Sequence, residues 1–290
     1  MRVRYSRDVL GTVKNVTVSQ SAGKWFVSIQ TEREVEQPLP HGDAIGIDVG
    51  IIRFATLSDG TFFPPLNSFR RHEIALRKAQ QALSRKTKFS GNWKKAKTRV
   101  QRIHSRIGNA RRDYLHKTTT TISKNHAMVC IEDLRVRNMS RSAAGTTEAP
   151  GKNVRAKSGL NKSILDQGWF EFRRQLDYKL QWNGGYLIAV PPQNTSRTCP
   201  TCGHVSADNR QTQAKFECVE CGFEENADVV GAINILSRGM QMLRDEGQDT
   251  VDASVVWETT AQIACEVSGA VMPPAAGTHR SDSGAAQCRA

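Results

Sequence analysis

The hydrophobic pattern opens with two short arms that flank a turn signal. Valine recurs from Val9 to Val18, Gly23 lies in the turn at 21–24, and the apolar run 25–29 forms the second arm. Short β-branched and aromatic runs on either side of such a turn are typical of a β-hairpin. We therefore predict a two-stranded hairpin over residues 8–34, followed by a proline-containing linker that ends near residue 41.

The next apolar segment, 44–57, contains the residue around which we expect the chain to be organised. Asp48 lies within an apolar run that begins after Gly42, and Gly46 and Gly50 flank it. This pattern predicts a buried strand, in which an uncompensated carboxylate is costly. A metal ion is the commonest compensation, and the small neighbours would let a backbone, a metal or a phosphate approach closely. The stretch alone leaves a second interpretation open, in which Asp48 ends a strand and caps a turn.

Helical periodicity covers residues 70–124. Apolar residues at 74, 76, 79 and 83 mark a first helix, and steps of three and four from Trp93 to Tyr114 mark a second one, with Ser90 near its N-cap. Residues 70–112 hold 15 Lys and Arg but a single acid, Glu73. Because a solvated helix face usually mixes signs, we interpret this helical hairpin as a phosphate-binding surface. Its candidate contacts are Arg77, Lys78, Arg85, Lys86, Lys94, Lys95, Arg99, Arg102 and Arg106.

The remaining pattern alternates strands and helices. An apolar run at 127–134 predicts a buried strand that ends in Glu132 and Asp133, and 186–190 predicts another strand. Between them, residues 138–163 are expected to form a mobile basic loop, and 169–180 a helix. Residues 226–240 predict a last helix with Asp228 in its first turn. The tail 241–290 is expected to be poorly ordered.

Composition narrows the class of partner. The 290 residues carry 41 Lys and Arg against 28 Asp and Glu, a net charge of +13, which favours a polyanionic partner. No apolar run approaches the roughly 20 residues that span a bilayer, and the N-terminus lacks the apolar region of a signal peptide. We therefore expect a cytoplasmic protein with no membrane partner.

Four of the seven cysteines form two C-x-x-C pairs, Cys199 with Cys202 and Cys218 with Cys221, separated by 15 residues. This spacing is typical of a zinc ribbon, and a reducing compartment favours metal over disulfides. Four thiolates complete a tetrahedral shell, so the zinc is expected to be structural and His204 a bystander. Four free core cysteines are the disfavoured alternative.

Three acids distant in sequence, Asp48, Glu132 and Asp228, each lie beside apolar residues. Cleavage of a phosphodiester by two magnesium ions, about 3.5–4 Å apart, requires such a carboxylate set. Each acid also has an ordinary interpretation: Glu132 could pair with Arg135, and Asp228 could be favoured by the helix dipole. Asp133 is a rival for the role of Glu132.

The order of four motifs resembles the TnpB (OrfB) family over roughly residues 8–240. The motifs are Gly-Ile-Asp-Val-Gly at 46–50, Ile-Glu-Asp-Leu at 131–134, Thr-Ser-Arg-Thr-Cys-Pro-Thr-Cys-Gly at 195–203 and Asn-Ala-Asp-x-x-Gly-Ala-Ile-Asn-Ile at 226–235. Insertion sequences encode this family, which is related to type V CRISPR effector nucleases. The resemblance implies an α/β fold: an RNase H-like (RuvC) mixed sheet flanked by helices, with a basic helical-hairpin insertion and a zinc ribbon, preceded by a partial β-barrel (wedge) hairpin.

The resemblance also implies an activity, RNA-guided DNA cleavage with magnesium and a guide RNA. Asp48, Glu132 and Asp228 fall on the first, second and third RuvC acids. Asn226 and Asn234 fall on flanking polar positions, and Arg197 falls in the nucleic-acid-binding segment that leads into the ribbon. A monomer in complex with RNA is expected. No Ser or Tyr recombinase arrangement stands out, so strand transfer is not assigned.

The implied domains are a partial wedge at 1–41, a nuclease domain at 42–196 with its insertion at 70–124, a zinc ribbon at 197–224 and a final helix at 225–240. Family members carry further wedge strands and a helical recognition region before the hairpin, so we expect an N-terminally truncated member that lacks the reader of the target-flanking motif. The alternatives are a non-cleaving nucleic-acid-binding regulator, a transposase accessory protein and an inactive insertion-sequence fragment.

Overall fold

The computed structural model describes residues 8–36 and 38–245. It begins with the predicted hairpin, in which β1 (Thr12–Ser21) pairs antiparallel with β2 (Lys24–Glu32) through a turn at Ala22 and Gly23. The hairpin forms a two-stranded sheet of its own. Most of the predicted tail, together with Cys265 and Cys288, lies outside the described residues.

A mixed five-stranded sheet forms the centre of the protein. Its strand order is β5-β4-β3-β6-β7, in which β3, β6 and β7 are parallel and β4 and β5 are antiparallel additions. This arrangement confirms the predicted mixed sheet. The bounds are Ala44–Val49 for β3, Ala55–Leu57 for β4, Phe62–Phe63 for β5, Met128–Glu132 for β6 and Tyr186–Val190 for β7.

Helices cover both faces of this sheet. Ile45 and Ile47 of β3 join Val129 and Ile131 of β6 in a core with side chains of α2 (Gly91–Asn125) and α5 (Trp169–Trp182). The alternate residues, Gly46 among them, face the last helix, α6 (Ala227–Asp245). Because strand side chains alternate between faces, Asp48 and Glu132 belong to the α6 face.

The basic helical hairpin is present, with α1 (Ser68–Ser84) packed against the longer α2. Ser90 caps α2 as predicted, since its hydroxyl accepts a hydrogen bond of 3.1 Å from the Trp93 amide. Asn67 precedes α1 in the left-handed region and makes no side-chain cap bond. The carboxylate of Asp166 accepts the amide hydrogens of Phe69 and Arg70 instead.

Residues 138–163 are not a continuous loop, and this prediction was wrong. A short helix α3 (Val136–Met139) opens the segment, and α4 (Val154–Gln167) occupies its end. The sequence of α4 holds Gly159, Asn161 and two serines, so its helical propensity is low. Burial of Ile164 and Asp166 against the rest of the protein stabilises a helix that local pattern did not indicate.

Between β7 and α6 the chain forms a small ribbon with strands β8 (Lys215–Glu217) and β9 (Glu224–Asn226). Phe216 is fully buried and packs with Cys199, Cys218 and Val230 of α6, so the ribbon sits on the start of α6. Within residues 8–36 and 38–245, no helix combines the length and apolar character that a membrane span requires.

Candidate functional site

Two glycines control how closely α6 approaches β3. A Cβ at Gly46 would lie 2.0 Å from the Ala232 carbonyl oxygen, and a Cβ at Gly231 would lie 3.1 Å from Oδ2 of Asp48. A larger residue at position 46 would therefore force α6 away from the strand. The close approach predicted for Gly46 is made by the α6 backbone, and it places the Asp48 carboxylate against the first turns of α6.

This packing gathers the three predicted acids in one region. Ile47 of β3 pairs with Ile131 of the parallel strand β6. Asp48 is the next residue after Ile47, and Glu132 is the next residue after Ile131. Carboxyl ends of parallel strands meet at one edge of a sheet, where α/β proteins commonly bind ligands. Asp228 reaches the same edge from the first turn of α6, and its charge and that of Glu132 both act on Asp48.

The pKa values of the acids reflect burial first and, at Asp48, the charges of the other two acids. Burial, followed by the negative charges of Glu132 and Asp228, raises the pKa of Asp48 to about 8, while the charge of Arg210 acts in the opposite direction. Burial also raises the pKa of Glu132, against the effects of a hydrogen bond from Thr195 and the charges of Arg238 and Arg210. A site that disfavours its own carboxylate charges is suited to a divalent cation.

Magnesium fits this donor set, because Asp and Glu supply the hard oxygen ligands that it prefers. Among the described residues, the four cysteines alone form a group of ligand atoms that all lie within 4.8 Å of one another. Asp48, Glu132 and Asp228 do not form such a group in the described part of the chain, although the charges of Glu132 and Asp228 both act on Asp48.

Two residues that support the acids were missed by the sequence analysis. Thr195, which is buried, donates a hydrogen bond of 2.5 Å from Oγ1 to Oε1 of Glu132. Arg210, in the ribbon, lies 3.7 Å from the Asp228 carboxylate. Thr195 opens the motif at 195–203 and Arg210 lies in no motif, but neither position indicates its partner, because both contacts join segments that are apart in the sequence.

The two asparagines expected to flank the acids hold the site together. Asn226 Oδ1 accepts a hydrogen bond of 3.1 Å from the Asp228 amide at the start of α6. Asn234 Nδ2 donates to the carbonyl oxygens of Thr195 and Thr198, both at 2.7 Å. Asn234 therefore fixes the segment from which Thr195 reaches Glu132.

The four predicted zinc ligands converge. Cys199 Sγ lies 3.6 Å from Cys221 Sγ, and Cys202 Sγ lies 3.6 Å from Cys218 Sγ. Tetrahedral zinc with Zn–S bonds of about 2.3 Å would place its sulfurs roughly 3.8 Å apart. Although burial acts to raise it, hydrogen bonds from the backbone of Cys221 and Glu220 bring the pKa of Cys218 down to about 7, whereas burial raises the pKa of Cys199 to about 12. The group thus fits zinc.

The predicted nucleic-acid contacts are all exposed. The side chains lie on α1, on α2 or in the segment between them, and Arg197 is exposed at the entrance to the ribbon. Lys97 and Trp93 form a cation–π contact of 5.1 Å near the start of α2. The helical hairpin therefore presents a basic surface whose binding role stays a prediction.

The mixed sheet, its helical hairpin and its ribbon define an α/β protein with an embedded four-cysteine cluster. Residues 26–143 match the family described as "Probable transposase" (OrfB_IS605), and residues 169–235 match the "Cas12f1-like, TNB domain" family. Together these matches place the chain in the TnpB (OrfB) family, to which it belongs.

Individual relatives agree with this placement. The chain is 60% identical to "Putative RNA-guided DNA endonuclease InsQ" of Escherichia coli (strain K12). The match extends over 244 residues, which are 84% of this chain and 61% of that protein. It is 36% identical over 242 residues to "Putative RNA-guided DNA endonuclease" of Streptomyces pristinaespiralis, across 82% of this chain and 56% of that protein. The chain thus spans about three fifths of the length of these relatives.

A solved structure, "Cryo-EM structure of the Cas12f1-sgRNA-target DNA complex", also aligns with the chain. The sequence identity is 19% and the TM-score is 0.42, over 76% of this chain and 55% of that chain.

Proposed function

We propose that the chain carries the cleavage centre of an RNA-guided, magnesium-dependent DNA endonuclease that serves DNA transposition. The observation that carries the proposal is the convergence of Asp48, Glu132 and Asp228 at one edge of the mixed sheet. Two relatives, which match over 84% and 82% of this chain, bear the name "Putative RNA-guided DNA endonuclease", and this supports the choice of nucleic acids. In this proposal the domain at 42–196, together with α6, is the RuvC-like, RNase H-type unit.

Asp48, Glu132 and Asp228 would hold the magnesium ions. When bound, the metal supplies an activated water and stabilises the leaving oxygen of the phosphodiester. Thr195 orients Glu132 through its hydrogen bond, and Asn226 fixes the first turn of α6 that carries Asp228. These contacts hold the acids in place before substrate arrives, which reduces the reorganisation that the reaction requires.

The proposal gives the basic hairpin and the ribbon separate tasks. The exposed Lys and Arg side chains of α1 and α2 would bind phosphates of the guide–target duplex or the displaced DNA strand. Zinc held by Cys199, Cys202, Cys218 and Cys221 would stabilise the ribbon. Arg210, which extends from that ribbon to Asp228, would contribute positive charge at the cleaved phosphate.

A cleavage assay tests the proposal directly. The purified chain would be combined with magnesium, RNA transcribed from the adjacent element end and a labelled single-stranded DNA target. Asp48→Ala and Glu132→Gln should abolish cleavage while RNA binding is unchanged. Asp133→Asn is the matched control, because Asp133 is exposed and paired with Arg173 at 2.5 Å, and this variant should still cut.

The outcomes separate the proposal from its alternative. Cleavage by Asp48→Ala at the wild-type rate would contradict the assignment of the acids. RNA or DNA binding without any cleavage by the wild-type chain would favour a nucleic-acid-binding regulator.

A further inference from the structure

A cavity of about 960 Å³ lies next to the candidate acids, and the proposed function does not use it. Glu132 forms part of its wall, so the cavity and the acid site are continuous. Its apolar lining comes from the segment after β6, the start of α5 and β7, and includes Leu134, Val136, Trp169, Phe170 and Leu187. Its volume lies in the range of pockets that hold small organic groups.

The charge of this cavity is predominantly positive. Arg135, Arg137, Arg173 and Arg174 line it, against the acids Glu132 and Asp177. Arg173 and Arg174 already pair with Asp133 and Glu171. No ion pair engages Arg135 or Arg137 within the described parts of the chain, so two guanidinium groups there are available to an anion.

Two aromatic residues, Trp169 and Phe170, also line the cavity. Trp169 is 6% exposed, and its Nε1 has no hydrogen-bond acceptor among the described residues. Because Nε1 is itself out of contact with solvent, Trp169 contributes an apolar wall to the cavity. Phe170 is 74% exposed and lines the cavity, so its ring is accessible to a bound group.

We propose that this cavity binds one unpaired nucleobase of the DNA strand that is cut, stacked on Phe170, while Arg135 and Arg137 bind the neighbouring phosphate. Aromatic faces next to guanidinium groups are the combination that binds single-stranded nucleic acid. The shared wall at Glu132 places the next phosphate beside the acids. The inference rests on the proposed function, because it takes the cut strand as the occupant.

Binding of short single strands tests the inference without cleavage. Fluorescence anisotropy in magnesium-free buffer would measure the affinity of the full chain for a thymine oligonucleotide and for an all-abasic strand of the same length and charge. Base stacking on an aromatic side chain predicts that the wild type loses about tenfold in affinity for the abasic strand. Phe170→Ala should bind both strands with nearly the same, weaker affinity.

Trp182→Ala is the matched control. Trp182 lies on the same helix, is 73% exposed and lies outside the cavity lining, so this variant should retain the tenfold preference. Arg137→Ala should lower the affinity for both strands equally and reduce the salt dependence of binding by about one phosphate contact.

The inference is overturned if Phe170→Ala retains the wild-type preference for the strand with bases, or if Trp182→Ala loses it to the same extent. A cleavage assay of the same proteins in magnesium distinguishes a failure of the cavity inference from a failure of the proposed nuclease function. Base-dependent binding through Phe170 without cleavage supports the cavity and contradicts the proposed nuclease. Cleavage without dependence on Phe170 supports the nuclease and contradicts the cavity.

Discussion

The guanidinium of Arg210 lies 3.7 Å from the carboxylate of Asp228, and this contact joins the cysteine ribbon to the acids. The neighbouring Asn209 is fully buried. Its Nδ2 donates hydrogen bonds to the carbonyl oxygens of Arg197 and His204, and its Oδ1 accepts one from the Val219 amide. These bonds fix the backbone next to Arg210. The position of Arg210 therefore depends on the folded ribbon. A structural metal in the ribbon would therefore influence the acid site through Arg210, in addition to the packing of the ribbon on α6.

The contact predicts a large effect of Arg210→Ala on cleavage. Loss of a positive charge aimed at developing negative charge typically costs about 100-fold in kcat, and Arg210→Lys should recover only part of that loss, because lysine lacks the planar fork. Single-turnover cleavage in magnesium measures the rate. Lys215→Ala, which removes an exposed cation from the same ribbon, is the control and should cut normally. An unchanged cleavage rate in Arg210→Ala would contradict a role for Arg210 in cleavage.

The cysteine geometry predicts that zinc and ribbon stability are lost together. Cys218→Ser leaves three thiolates, so zinc content should fall well below one ion per chain and the melting temperature should fall with it. Elemental analysis and thermal unfolding measure the two quantities. Cys130→Ala is the matched control, because Cys130 is buried in β6 away from the cluster and its removal should leave zinc in place. A full zinc complement in Cys218→Ser would contradict the four-thiolate site.

The raised pKa of Asp48 predicts an unusual pH dependence of stability in the absence of magnesium. The folded-state pKa is about 8, against 3.8 for the unconstrained group, so between these values the folded chain holds a proton that the unfolded chain has released. Stability from this group is complete below pH 3.8 and is lost as the pH rises towards 8. The slope reaches about 1.4 kcal/mol per pH unit for one proton.

Asp48→Asn removes this loss, because the amide is neutral at every pH. In magnesium-free buffer without chelator, which leaves zinc bound, urea unfolding should show that the advantage of Asp48→Asn over wild type grows from pH 4.5 to pH 8. Magnesium should stabilise the wild type but not the variant. Asp113→Asn, at an exposed position of α2, supplies the baseline for an ordinary acid. A difference between Asp48→Asn and wild type that does not grow with pH would contradict the buried-acid interpretation.

Strong periodicity made most of the fold predictable. The strands around Asp48 and Glu132, the capped start of α2 at Ser90 and the ribbon at its two cysteine pairs follow from local pattern. Helix α4 did not, because its stability comes from burial of Ile164 and not from its own propensity. The same limit explains the supporting residues: Thr195 and Arg210 gain their roles from contacts across the chain, to Glu132 and Asp228, which no local spacing records.

Asp166 is the side chain that ties α4 to the basic hairpin. It is 6% exposed, its carboxylate accepts hydrogen bonds from Ser68 Oγ at 3.1 Å and from the Phe69 amide at 2.9 Å, and it pairs with Arg111 at 2.7 Å. Since Asn67 makes no side-chain cap bond, Asp166 supplies the N-terminal cap of α1 from a distant part of the chain.

Asp166→Ala should therefore destabilise the protein by about 3 kcal/mol, because it leaves the α1 amides and the Arg111 guanidinium without their shared acceptor. Asp166→Asn should cost less, since its carbonyl oxygen can still accept from the helix terminus but carries no charge. Urea unfolding with intrinsic tryptophan fluorescence measures both losses. Asp113→Ala breaks an exposed pair with Lys117 on α2 and should change stability by less than about 0.5 kcal/mol. If Asp166→Ala were as mild as Asp113→Ala, the cap of α1 would have to come from elsewhere, and the hairpin would hold its orientation without α4.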